Sequence, residues 1–190
     1  MKTVVYLHGF ISSPQSRKAV MLGDYLRASR PEVRYLVPEL HHRPAQAVSQ
    51  VQWHCLGKDP AELALVGSSL GGFYATVAAE KLGCRAIVLN PAVHPHAHCA
   101  RYLGPQANLY TGERFELTAA HVEELAALDV AAVSRPDRYW LIVETGDEVL
   151  DYREAVAFYA GARQTVVQGG DHALSSFAEH VPGIAAWAAP

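Results

Sequence analysis

Residues 63–73 read LALVGSSLGGF. Leu63 to Val66 form a short apolar run, the pattern of a strand buried on both faces. From Leu70 to Leu82 an alanine-rich helix is expected, ended by Gly83. Between the two, Gly67-Ser68-Ser69-Leu70-Gly71 matches G-x-S-x-G with Ser69 central. A serine in so sharp a strand-to-helix turn crowds the residues two before and two after it. Gly67 and Gly71 have no Cβ, so the turn can close. The turn holds Ser69 at a helix N-terminus, where the dipole favours a developing anion. Gly72 lets the helix start pack tightly. Ser68 is not bracketed by glycines and is not the candidate nucleophile. The pattern alone also fits a glycine-rich turn without chemistry. Its weight comes from the strand before it, the helix after it and the partners elsewhere in the chain.

The same alternation extends in both directions. Strands are expected at Thr3–Leu7, Arg34–Val37, Ala86–Leu89, Tyr139–Val143 and Gln164–Val167. Helices are expected at Ser16–Ala28, Pro44–Leu56, Thr118 to about Ala131 with Thr118 as N-cap, Tyr152–Tyr159 and Ser175 to about Ala188. With the strand before Ser69 this gives a six-stranded parallel sheet covered on both faces, a three-layer α/β/α fold with right-handed crossovers. Ligands in such sheets sit off the carboxyl ends of the strands. The segment 92–137 breaks the rhythm after strand four. It is read as a short insertion over that end of one domain spanning 1–190, not as a second domain.

Catalysis by Ser69 needs an anion site, a base and an acid. One oxyanion donor is expected from the N–H of Leu70. The other is expected from the loop His8-Gly9-Phe10 after strand one, with Phe10 as donor and Gly9 permitting close approach. Chain order in this fold is Ser, then Asp or Glu, then His. Of the six histidines after the elbow, only His172 follows the last strand, in Gly169-Gly170-Asp171-His172. His121 and His180 fall on expected helices and read as surface residues. For the acid, Asp147 leads because it directly follows the turn Thr145-Gly146 after strand five. Asp151 reads as a helix cap, and Asp171 as a partner in its own loop's hydrogen bonds.

Three histidines, His94, His96 and His98, alternate and are followed by Cys99. An extended strand would set them on one face, as metal ligands. Pro95 weakens that reading, and a polar loop lining the site is preferred, with no metal and no cofactor. His41 and His42 are read as accessible and near the site, without an assigned role.

Composition excludes other classes. The chain has 190 residues, half of them hydrophobic, enough for a sizeable core. A net charge of −3 without long one-sign runs argues against nucleic acid as the partner. Three cysteines, odd in number and without a CxxC pair, fit neither a disulfide framework nor a zinc knuckle. Cys55 and Cys84 read as packing residues. MKTVVYLHGF is too short for a signal peptide, and no stretch approaches the ~20 apolar residues of a membrane span. A soluble cytoplasmic protein is the expectation.

Several segments together carry a family resemblance. They are YLHGF (6–10) with SSPQS (12–16) and Lys18, VPEL (37–40), LVGSSLGG (65–72), LNPAV (89–93) with Pro95, YLG (102–104), YTGE (110–113), TGDEVLDYREAV (145–156) and GGDH (169–172). They resemble the YqiA-like small bacterial esterases of the α/β-hydrolase superfamily, over nearly the whole chain. The resemblance implies a hydrolase sheet lacking the usual first two strands, with Ser69, Asp147 and His172 at the triad positions. It implies hydrolysis of a small-molecule carboxylic ester or thioester, an acyl-CoA among them. Amide or C–C hydrolysis in the same fold, and a non-catalytic binding module, are the other classes.

Overall fold

A computed structural model describes residues 1–189; residue 190, the last of the expected domain, lies outside them. Six parallel strands form one sheet: β1 (Thr3–Leu7), β2 (Arg34–Leu36), β3 (Leu63–Ser68), β4 (Arg85–Leu89), β7 (Tyr139–Glu144) and β8 (Arg163–Val167). Their spatial order is β2-β1-β3-β4-β7-β8. The register is set by ladders such as Val5↔Leu65, Val66↔Ile87 and Val88↔Leu141. The order reverses beside β1 and β3, so the crevice at the switch point opens between their carboxyl ends.

Side chains alternate across this sheet. Val5, Leu7, Leu65, Val88, Leu141 and Val143 face α2 (Pro44–Cys55), α3 (Leu70–Leu82), α4 (Ala119–Leu128) and α5 (Tyr152–Phe158). Val4, Tyr6, Val66, Ile87, Leu89, Trp140 and Ile142 face α1 (Arg17–Ser29) and α6 (Phe177–Ala188). Both faces are thus covered, which is why the central strands read as unbroken apolar runs. Helix α3 is apolar nearly all round because it lies between the sheet and α2. The α/β-hydrolase fold expected from the sequence is the fold observed. Among the described residues no helix is long and apolar enough to cross a membrane.

The segment between β4 and β7 holds more regular structure than expected. Two short strands, β5 (Gly104–Ala107) and β6 (Arg114–Leu117), pair antiparallel as a separate hairpin. The Asn108 carboxamide closes its turn by accepting the amides of Tyr110 (2.9 Å) and Thr111 (3.1 Å). Helix α4 starts after Thr118 as expected but ends at Leu128, short of Ala131. Asp129, which follows, turns its carboxylate to His94 Nδ1 at 2.7 Å.

Candidate active site

The elbow is built from steric necessity. Ser69 sits at φ 55°, ψ −123°, a strained conformation for a non-glycine residue. The surrounding turn leaves no alternative path. A Cβ on Gly67 would run into the Gly71 carbonyl, and one on Gly71 into the carbonyls of Leu7 and His8 at the end of β1. Glycine at 71 is therefore required by the end of strand β1, and glycine at 67 by the backbone of Gly71. A Cβ on Gly72 would lie 2.7 Å from the Pro91 Cβ, so the helix start does pack closely. The Ser69 amide donates to Leu89 O at 3.0 Å, and its carbonyl accepts from Ala92 N at 3.1 Å, which locks the turn to the end of β4.

Ser69, His172 and Asp147 come together at the carboxyl ends of β3, β8 and β7. His172 Nε2 is 3.0 Å from Ser69 Oγ, and His172 Nδ1 is 2.8 Å from Asp147 Oδ2. An ionised carboxylate only accepts, so Nδ1 carries the proton and the Nε2 lone pair faces the serine hydroxyl. Asp147 has a side chain only 2% exposed. Burial pushes its pKa up, but hydrogen bonds from His172 and from the Leu150 and Val149 amides outweigh that, and the carboxyl lies below its ordinary value. Those two amides reach Oδ1 at 2.9 and 2.8 Å. Asp151 takes its expected place as the cap of α5, accepting from Arg153 N at 3.0 Å.

Phe10 and Leu70, the residues expected to supply the oxyanion donors, line the same cavity as Ser69. Leu70 opens α3, where the first-turn amides have no helical acceptor. Gly9 lies so near that a Cβ there would sit 3.8 Å from Ser69 Oγ. Neither Phe10 N nor Leu70 N donates to a backbone acceptor among the described residues. The Phe10 loop is held by His8. Leu40 N donates to His8 Nε2 at 3.1 Å, so the opposite nitrogen, 3.1 Å from Gly9 O, carries the proton. Burial pushes the His8 pKa down, in keeping with a neutral ring.

In front of Ser69 opens a cavity of about 650 Å³. Phe10, Met21, Leu70, Tyr74, Leu150 and Phe177 give it apolar walls. The insertion adds Val93, Tyr102, Leu109, Tyr110, Leu117 and Leu125.

Two sequence expectations, those for His121 and Asp171, need correction. His121 is not a surface residue: it is 2% exposed. Its Nδ1 accepts from Thr118 N at 3.1 Å and its Nε2 lies 3.0 Å from His42 Nδ1, so it fastens the start of α4 to the loop before α2. Likewise His42 has a role, stacked on Phe115 of the hairpin with ring centres 4.5 Å apart. The Asp171 side chain does not bond within its loop. Its Oδ1 is buried without a partner among the described residues, and the loop uses the Asp171 backbone instead. The three alternate histidines do not share one face: His94 and His96 turn to Asp129, at 2.7 and 3.9 Å, while His98 lies 3.6 Å from Glu154. Among the described residues no group of three or more His, Cys, Asp or Glu side chains gathers as a metal site.

Two residues that sequence reasoning passed over stand behind His172. Glu144, the last residue of β7, is wholly buried, and Asn90, just after β4, is 2% exposed. A charge and an amide closing two apolar strands were the available signal.

The fold is shared with many solved structures. A protein of Agrobacterium vitis S4 superposes with a TM-score of 0.78 at 18% identity, covering 98% of this chain and 87% of that one. Est1E of Butyrivibrio proteoclasticus, solved with ferulic acid bound, gives 0.70 at 16% identity, covering 97% and 86%. The esterase domain of a Rhodothermus marinus protein gives 0.69 at 19% identity, covering 98% and 86%. These likenesses establish the α/β-hydrolase architecture. At the level of sequence, residues 3–189 match the model of a protein family described as uncharacterised, UPF0227, and the chain belongs to that family.

Proposed function

We propose that the protein is a serine hydrolase that cleaves small carboxylic esters or acyl thioesters through an acyl-enzyme. The supporting observation is the unbroken line Asp147–His172–Ser69, with steps of 2.8 and 3.0 Å, opening on an apolar cavity. In this reading His172 Nε2 takes the proton of Ser69 Oγ as the oxygen attacks the acyl carbon. Asp147 stabilises the imidazolium that forms. The amides of Phe10 and Leu70 hold the oxyanion, each worth ~3 kcal/mol in the transition state. Collapse expels the alcohol or thiol, which takes its proton from His172. Water, deprotonated by the same nitrogen, then attacks the acyl-serine and releases the acid. None of these steps calls for a metal or cofactor.

The cavity falls within the ~300–1,000 Å³ usual for small-molecule sites, which suits short to medium acyl groups. Residues 92–137 act as its roof within a single domain. Phe10, Tyr102 and Tyr110 in the lining make an aromatic acyl group a reasonable member of the substrate panel, alongside aliphatic ones.

A fluorophosphonate probe tests the nucleophile, and a panel of nitrophenyl esters, a feruloyl ester and acyl-CoAs tests the substrate class. Labelling of the wild type, its loss in Ser69→Ala, and turnover of at least one panel member are expected. A wild-type protein that neither labels nor turns over any of them overturns the reading.

A further inference from the structure

The loop that carries His172 runs from the end of β8 at Val167 to the start of α6 at Phe177. Its first residues still meet β7's end, where Gly146 N donates to Gly169 O at 2.8 Å, but beyond Gly170 it has left the sheet. Side chains hold it there: Glu148 Oε2 accepts the His172 amide at 2.9 Å, and two buried groups hold the rest. Glu144 Oε2 accepts the amides of Asp171 at 2.7 Å and Ser175 at 3.0 Å, and Oε1 accepts that of Ser176 at 2.8 Å. The Ser175 hydroxyl adds a fourth donor at 3.3 Å. From the other side Asn90 Nδ2 donates to the carbonyls of Asp171 at 3.0 Å and His172 at 3.3 Å. Asn90 Oδ1 in turn accepts from Glu144 N at 2.9 Å, so the two side chains form one connected unit. Gly170 is drawn so close that any Cβ there would overlap the Glu144 carboxylate.

We propose that Glu144 and Asn90 are positioning residues that set the imidazole of His172 between Ser69 and Asp147. This rests on the reading of His172 as the base. A carboxylate with no exposure is costly to bury unless its lone pairs are filled. Here donors fill both oxygens, and every backbone donor comes from the loop of the base. Helix packing alone would be served by an apolar residue at this point of β7. The carboxylate matters chemically because it only accepts. A glutamine of the same shape has one accepting oxygen, and its NH₂ would confront an amide N–H. The loop would have to shift to relieve that, carrying His172 with it. Catalytic geometry is unforgiving of such shifts: a displacement of ~1 Å costs on the order of 10²-fold in rate. Neither Glu144 nor Asn90 lines the cavity; of the loop they hold, only Asp171 to Ser175 do, so most of the wall that would bind substrate stays in place.

The test compares Glu144→Gln and Asn90→Gly with wild type by two readouts. Glycine suits position 90, where φ is 39°. Steady-state kinetics on the best ester should show kcat lowered by ~10- to 100-fold with KM within about twofold of wild type. Proton NMR should show the downfield His172 Nδ1–H signal, assigned by its loss in His172→Gln, broadened or gone in both variants. Variants that melt at lower temperature yet keep wild-type kcat and that signal overturn the proposal, because the pair is then only structural. If Glu144→Gln does not fold, Asn90→Gly decides by the same two readouts. If wild type turns over no ester, the hydrolase reading fails while the NMR comparison still decides the positioning claim.

Discussion

The Nδ1 atom of His42 lies 3.0 Å from the Nε2 atom of His121, although the two residues belong to different parts of the chain. The bond requires one proton between them and a lone pair on the other side. His121 Nδ1 already accepts from Thr118 N, so His121 Nε2 is the donor and His42 Nδ1 the acceptor. Both rings are therefore neutral, and the insertion is tied to the body of the protein by an uncharged pair.

That pair predicts a pH dependence of stability. Burial, and then repulsion from the neighbouring basic groups, push both pKa values below the ordinary 6.5: His41 and His121 act on His42, and Arg43 on His121. Glu113 and Glu124 face the pair and oppose this only in part. Below 6.5 the unfolded chain then binds more protons than the folded one. Stability contributed by the neutral rings is complete above that value and is lost as the pH falls through and beneath it. Thermal melts from pH 7.5 to about 5.5 should show a falling Tm. In His42→Phe, which keeps a ring on Phe115 but has no proton to gain, the slope should be shallower. A slope equal to that of wild type would remove the pair from the account.

Ser69→Ala should lose esterase activity down to background, on the order of 10⁶-fold in kcat, with the melting temperature kept. Ser68, which is 6% exposed and next to it, gives the contrast. Ser68→Ala should retain substantial turnover and fluorophosphonate labelling. Comparable losses in the two variants would mean that the turn, not one oxygen, had been disturbed.

Asp147→Asn should lower kcat by ~10⁴-fold, because an amide facing Nδ1 leaves the imidazole in the wrong tautomer. Asp151→Asn should do far less, since asparagine caps a helix about as well as aspartate. Parallel kinetics on the two variants measure this, and the opposite ranking would move the acid to Asp151.

Chelation should leave the activity unchanged. His94 Nδ1 is taken by Asp129, His98 Nε2 lies nearest Glu154, and among the described residues the three rings do not gather with other ligand types as a metal site. Activity lost on prolonged dialysis against chelator and restored by zinc would be evidence for metal at this segment.

The parts legible in the sequence are those where chemistry or sterics permits few residue types. The Gly67–Gly71 turn, the strands buried on both faces, and Asp147 and His172 just past strand ends all have such signatures. The hairpin did not. Gly104 to Ala107 holds a proline and faces solvent at alternate positions, and of its partner strand only Leu117 is buried. His121 looked like a surface residue because its partner His42 is remote in sequence. Glu144 was hidden for a different reason. Its partners are mainly backbone amides, which any residue supplies, so no side-chain pattern announces them.

Strands β4 and β7 are neighbours in the sheet, yet the whole roof of the cavity is threaded between them. The segment leaves and rejoins the protein at adjacent points, while Ser69, Asp147 and His172 all lie outside it. Up to Thr118 it is thus an exchangeable part, whereas α4 brings Leu125 into the buried core. A longer, shorter or differently lined stretch could be spliced between Pro95 and Thr118 without altering a pairing of the six-stranded sheet. With Ser69, Asp147 and His172 in the roles proposed above, substrate preference in this architecture can drift, or be engineered, independently of those three residues.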